Sequence, residues 1–125
     1  MSAIKSYKDL DVWKAAMELA TDVYGVTKGF PKEEIYGLTS QMRRASVSIA
    51  SNIAEGYGRE STAQFVQFLR ISQGSSKELE TQILIAERVG TLGSEQASTL
   101  MKLSDDVGKM LRGLIRALEA KSRDQ

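Results

Sequence analysis

Turn-forming residues cluster at only three places in this chain: Gly29-Phe30-Pro31, Gly56-Tyr57-Gly58 and Gly90-Thr91-Leu92-Gly93. Glycine frees the backbone and proline removes a donor, so these clusters mark breaks. They leave four long stretches, and each repeats its apolar residues at spacings of three and four, the period of an α-helix. Helices joined by short connections favour antiparallel neighbours. The expected fold is therefore all-α: a single domain over residues 1–125, an antiparallel up-down-up-down four-helix bundle. Its helices should run over about 9–28, 38–56, 61–89 and 94–121. No stretch alternates strictly enough for a strand, and no internal repeat or low-complexity linker divides the chain.

In the first stretch Val12, Ala16, Leu19, Val23 and Val26 form one stripe and Trp13, Met17, Ala20 and Tyr24 a second beside it. Asp9 or Asp11 is placed to cap its start, and Lys28-Gly29 suits its end. The second carries Leu38, Met42, Ala45, Ile49 and Ile53. It reaches Gly56-Tyr57-Gly58, which lacks the preceding strand and third glycine of a dinucleotide fingerprint and reads as a helix stop. The third, from Ser61 or Thr62 to Gly90, carries Phe65, Phe68, Ser72, Ser75, Leu79, Ile83 and Ala86 and would extend roughly 42 Å. The fourth opens on the capping-box-like Ser94-Glu95-Gln96-Ala97. Its main seam is Leu100, Leu103, Val107, Met110, Leu114 and Leu118, with Met101, Gly108, Leu111 and Ile115 in a second row.

Composition narrows the chemistry. The chain has no cysteine and no histidine, which excludes disulfides, thiolate nucleophiles, Ser-His pairs, and imidazole-bound zinc or haem. The Glu-x-x-His pair of di-iron bundles cannot be written either. Glu55, Glu78, Arg44 and Tyr57 are the groups to weigh as an active site. They come without a nucleophile-activating partner, phosphate loop or metal-ligand spacing. The expectation is a protein that is not an enzyme and takes no cofactor or metal. No apolar run approaches the roughly 18 residues that span a bilayer, and no apolar signal region opens the chain, so a cytoplasmic protein with no membrane partner is expected.

Two features inside the helices stand out. The first is a polar row beside the apolar seam of the second helix: Gln41, Arg44, Ser48, Asn52 and Glu55. It is either a solvated face or a partly buried network, and Asn52 also continues the apolar seam, where a polar group needs a partner. Reversal of the chain at Gly56 to Gly58 would set Ser48 opposite Arg70 to Ser72 and bring Arg44 within one turn of Glu78. Arg44 and Glu78 are then expected to pair, with Asn52 and Glu55 serving backbone groups near the turn. The second feature is the small tract around Gly74 and Ser75. A helix-interior glycine costs on the order of 1 kcal/mol, and close helix packing at Gly74, Ser75 and Gly108 would account for it.

Two surfaces suit partners. Double apolar rows on the first and last helices suggest a self-association face containing Trp13, Tyr24, Met101, Leu111 and Ile115. Lys109, Arg112 and Arg116 on the fourth helix are the candidate nucleic-acid contacts. Basic residues there also complement the helix dipole, and 17 basic against 16 acidic side chains give the whole chain no field that favours nucleic acid.

The runs Tyr36-Gly37-Leu38-Thr39-Ser40-Gln41-Met42-Arg43-Arg44-Ala45 and Ser48-Ile49-Ala50-Ser51-Asn52-Ile53-Ala54-Glu55-Gly56-Tyr57-Gly58-Arg59 resemble the family named for the 23S rRNA intervening sequence protein, also labelled S23 ribosomal protein. Flanking matches are Leu10-Asp11-Val12-Trp13-Lys14-Ala15, Phe30-Pro31-Lys32-Glu33-Glu34, Phe65-x-x-Phe68-Leu69 and Gly74-Ser75-Ser76-Lys77-Glu78-Leu79-Glu80-Thr81. The likeness covers most of the chain, to about Gly93. It implies an antiparallel four-helix bundle assembled as a homopentameric ring, a scaffold or adaptor whose biochemical role in the family is largely unassigned. A related branch, the accessory variability protein of diversity-generating retroelements, is similar in fold and associates with reverse transcriptase and nucleic acid through a basic surface. A nucleic-acid-binding accessory protein of that type is the alternative, and the near-neutral charge departs from it. The family's recurrent positions fall here on Gln41, Arg44, Ser48, Asn52, Glu55, Gly56, Gly74, Ser75 and Glu78, as packing residues or as a shared site. Implied partners are further copies of the chain, with RNA, DNA or a protein beside them.

Overall fold

The computed structural model describes residues 3–123. Four helices make up nearly all of it: α1 (Asp11–Thr27), α2 (Leu38–Gly58), α3 (Thr62–Arg88) and α4 (Ser94–Arg123). Single 3-10 turns at Tyr7–Asp9 and Lys32–Glu34 complete the regular structure, and no strand occurs among the described residues. Each helix packs on its neighbour in sequence and α4 closes back on α1, while the diagonal pairs α1/α3 and α2/α4 make no backbone contact. That order is an up-down-up-down bundle. None of the helices is long and apolar enough to cross a membrane.

Local chemistry sets the ends. Ser61 caps α3 by accepting the Gln64 N–H at 3.3 Å, and Ser61 to Gln64 is the spacing that N-capping needs. After α3, Gly90 takes φ 81°, and the Thr91 and Leu92 N–H groups both return to the Ala86 carbonyl. Leu92 then buries its side chain in the core, the hydrophobic contact that accompanies such helix ends. α2 is started from a distance: the Glu34 carboxylate accepts the Leu38 N–H at 3.0 Å. Neither Asp9 nor Asp11 caps α1, whose N-cap is Leu10 without a side-chain bond. Asp9 instead closes a capping box with Ser6 over the preceding 3-10 turn.

The α2/α3 connection differs from the sequence expectation. α2 runs through Gly56 and ends at Gly58, two residues past the expected end. Reversal happens over Arg59–Ser61, where Glu60 takes the left-handed φ of 58°. Gly56 serves packing: a Cβ there would stand 2.6 Å from the Cβ of Phe68. Moving the reversal along the chain also moves the register. Ser48 meets Ser75, about one turn beyond the Arg70 to Ser72 level that reversal at the glycines implies.

The core takes Val12, Ala16, Leu19 and Val23 from α1, Met42, Ala45, Ile49 and Ile53 from α2, Leu69, Leu79, Ile83 and Ala86 from α3, and Leu100, Val107, Leu111 and Ile115 from α4. Between Leu69 and Leu79 the inward positions of α3 are serines: Ser72, Ser75 and Ser76, all buried. Buried Ser104 of α4 joins them, so a polar layer crosses the middle of an otherwise aliphatic interior.

α4 is turned relative to the sequence expectation. Its buried row is Ala97, Leu100, Ser104, Val107, Leu111 and Ile115, whereas Met110, placed on the main seam, is 42% exposed. Hydrogen bonds from Ser104 to α3 hold that row inward.

Candidate functional site

The polar row of α2 faces α3, and the structure joins part of it into a network. The hydroxyls of Ser48 and Ser75 lie 2.8 Å apart. Asn52, one turn along α2, donates its amide to the Ser48 carbonyl at 2.8 Å and to the Ser48 hydroxyl at 3.0 Å. Asn52 engages one lone pair of the Ser48 hydroxyl, and either serine can donate across the Ser48–Ser75 bond. Ser72 adds a second tie by donating to the Ile49 carbonyl at 2.9 Å. Both helices use small side chains here, which lets short hydroxyls span the interface and satisfies groups that burial would otherwise leave unpaired, at about 1–3 kcal/mol each.

Beside this network, and reaching it at Ser48, Gln41, Arg44, Ala45, Ser48 and Glu78 line a cleft of about 420 Å³. Arg44 and Glu78 share the cleft and are both exposed, yet they form no ion pair. The ion pairs among the described residues are Glu55–Arg59, Arg70–Glu119, Lys77–Glu80 and Asp105–Lys109. In water, ordering two long side chains offsets most of the attraction between them. Glu55 bonds the side chain of Arg59 at 3.0 Å rather than a backbone group near the turn. Asn52 does satisfy a backbone carbonyl, but in mid-helix.

Gly74 and Gly108 are not close-packing positions. A Cβ added at either meets nothing within 4 Å. They lie side by side in an open cleft between α3 and α4, and the close approach falls at Gly56 instead.

Of the proposed association face, Leu111 and Ile115 belong to the core, at 0% and 3% exposure. Trp13 and Met101 are half-buried against it. Tyr24 is exposed, with the Arg43 guanidinium 4.6 Å above its ring. Lys109, Arg112 and Arg116 are all exposed on α4, and Lys109 is held by Asp105 at 3.2 Å.

Two clusters were not anticipated. In one, Arg43 donates from Nε to the Thr27 hydroxyl at 2.8 Å while stacking on Tyr24, tying α2 to α1. In the other, Glu80 accepts from Ser104 at 2.8 Å and from Ser76 at 3.3 Å, and its second oxygen accepts from Lys77 at 3.2 Å. The signal for the second was present: Ser104 stands at a core spacing between Leu100 and Val107. One buried polar side-chain atom among the described residues has no partner, Oε1 of Gln82.

The chemistry of these groups is that of positioning. The α2/α3 hydroxyls are spent on each other and on backbone carbonyls, and no group of three or more acidic side chains converges as metal ligands would among the described residues. The sequence matches a family model, that of the 23S rRNA-intervening sequence protein, over residues 8–113. The chain belongs to the 23S rRNA-intervening sequence protein family. That match spans α1 to α3 and most of α4, and includes the whole α2/α3 network. A solved structure of a protein of unknown function from the S23 ribosomal protein family of Bacteroides thetaiotaomicron VPI-5482 has the same fold, with a TM-score of 0.79 at 24% identity. The alignment covers 84% of this chain and 95% of that one. Among curated proteins, none matches the chain. For this member of the 23S rRNA-intervening sequence protein family, the fold is thus the shared ground, and no relative's activity comes with it.

Proposed function

We propose that this family member is a non-enzymatic scaffold or adaptor that works in the cytoplasm as a homo-oligomer, a homopentameric ring, presenting a protein or RNA partner on its assembled surface. The observation that carries the reading is the apolar surface left outside a completed core. α3 sets Ile71 and Ile85, with its C-cap Val89, along one outward face at 49%, 46% and 63% exposure, with Glu78 between them at helical spacing. Val47 of α2 and Met17 and Tyr24 of α1 are exposed as well. Aliphatics along a helix exterior suit burial by another surface, and being already about half covered each would add roughly 1 kcal/mol when fully covered.

Native mass spectrometry with light scattering tests it. The expected result is a single species of five 13.8 kDa chains, reduced to smaller species by Ile85→Glu with helix content retained. A monomer at micromolar concentration overturns the reading. A pull-down of the native assembly, with protein and RNA both identified, then names the partner. Recovery of the chain alone overturns the adaptor role.

A further inference from the structure

A cleft of about 400 Å³ runs between α3 and α4 in the middle of the bundle. That volume is within the roughly 300–1,000 Å³ of small-ligand sites. Its floor is open because Gly74 of α3 and Gly108 of α4 both lack side chains and have no neighbour within 4 Å of where a Cβ would be. Helix-interior glycine carries a backbone-entropy penalty, and at these two positions packing gives nothing in return. Without side chains there, the cleft stays open.

The walls carry one sign of charge. Arg70 and Lys77 of α3 and Arg112 of α4 line the cleft with Gln73 and Ser76, and a carboxylate lies close by, that of Glu80, which Ser76 reaches at 3.3 Å. Arg70 is tied to Glu119 at 2.8 Å and Lys77 to Glu80 at 3.2 Å. The Arg70–Glu119 pair is open to water at both ends, 54% and 39% exposed, and is weakly held; Lys77 is 69% exposed, while its partner Glu80 is only 16% exposed. Arg112 is in no ion pair among the described residues. Planar guanidinium forks match tetrahedral oxyanions bidentately, and an ammonium adds a point charge.

We propose that the α3/α4 cleft binds a phosphate group, held by Arg112 with Arg70 and Lys77 over the glycine floor. The site lies within one chain, so it stands or falls independently of the assembly proposed above. The phosphate is supplied either by a free phosphoanion or by a nucleic-acid strand.

The test titrates the full chain with pyrophosphate by calorimetry and with a short 5′-phosphorylated, fluorescein-labelled RNA by anisotropy. Arg112→Ala removes the unpaired fork. Gly108→Leu keeps every charge and fills the cleft, and Gly74→Leu does the same from α3 if the first variant melts early by circular dichroism. Lys121→Ala, exposed and outside the cleft, is the control. At least one probe is expected to bind, with Arg112→Ala and the leucine variant each weakening it about tenfold or more and the control staying within about twofold. Pyrophosphate binding with this pattern assigns a free phosphoanion, and RNA binding alone with this pattern assigns a strand. Binding of neither probe overturns the proposal. So does binding that the leucine variant leaves within about twofold, since charge on an open surface then suffices.

Discussion

Gly56 of α2 lies directly against Phe68 of α3: a Cβ on the glycine would stand 2.6 Å from the Phe68 Cβ and 3.1 Å from the Phe65 ring. A clash with a Cβ cannot be relieved by rotating a side chain, so the helices must separate. Gly56→Ala gains about 1 kcal/mol in helix propensity and meets overpacking of about 1–3 kcal/mol. The expected outcome is net destabilisation of roughly 1 kcal/mol, read as a lower urea midpoint at unchanged slope. An alanine variant as stable as the parent would show that the two helices approach less closely.

The orientation of α4 makes a prediction from two adjacent residues. Leu111 is fully buried and Met110 is 42% exposed. Leu111→Ala should cost about 2–5 kcal/mol as a core cavity, and Met110→Ala should stay within about 0.5 kcal/mol. Chemical denaturation of the two variants decides it, and comparable losses would count against the observed rotation of the helix.

Ser104 donates to Glu80 at 2.8 Å and lies 3.0 Å from the Ser76 hydroxyl. Ser104→Ala removes the shorter of the two serine bonds to a mostly buried carboxylate, and a loss of about 1.5–3 kcal/mol is expected, the range for bonds to charged groups. A double-mutant cycle with Ser76→Ala should return a coupling energy of at least about 0.5 kcal/mol. Strict additivity would mean that the three groups do not act together.

Arg44 is exposed beside Glu78 without pairing to it. Arg44→Met should therefore change the stability of the chain by no more than about 0.5 kcal/mol. Thermal melting at low and high salt checks this, and a larger salt-dependent loss would reveal an ion pair.

Helix number, order and approximate ends are written in the spacing of apolar residues, because burial of one face depends on that period alone. The α2/α3 network was also legible in part: Ser48, Asn52 and Ser75 stand out as polar groups at inward spacings. What spacing does not contain is the geometry of the reversal. Glycine at 56 and 58 looks like a stop, but Glu60 carries the positive φ and Gly56 accommodates Phe68, a long-range fact. The same limit explains Gly74 and Gly108, since a helix glycine marks either contact or space and sequence does not distinguish the two. On α4 two neighbouring apolar rows compete for the interior, and the row that wins includes Ser104, bonded to Glu80, which apolar spacing alone does not mark.

Aliphatic faces that repeat every three to four residues are nearly self-similar, so α3 could slide past α2 or α4 by one turn and still set leucine against isoleucine. The mid-bundle serines are not self-similar. A slide of about 5.4 Å would carry Ser72, Ser75 and Ser76 away from the Ile49 carbonyl, Ser48 and Ser104, breaking interhelical bonds worth about 0.5–1.5 kcal/mol each. Cohesion in this bundle is thus written in carbon, and axial position in oxygen.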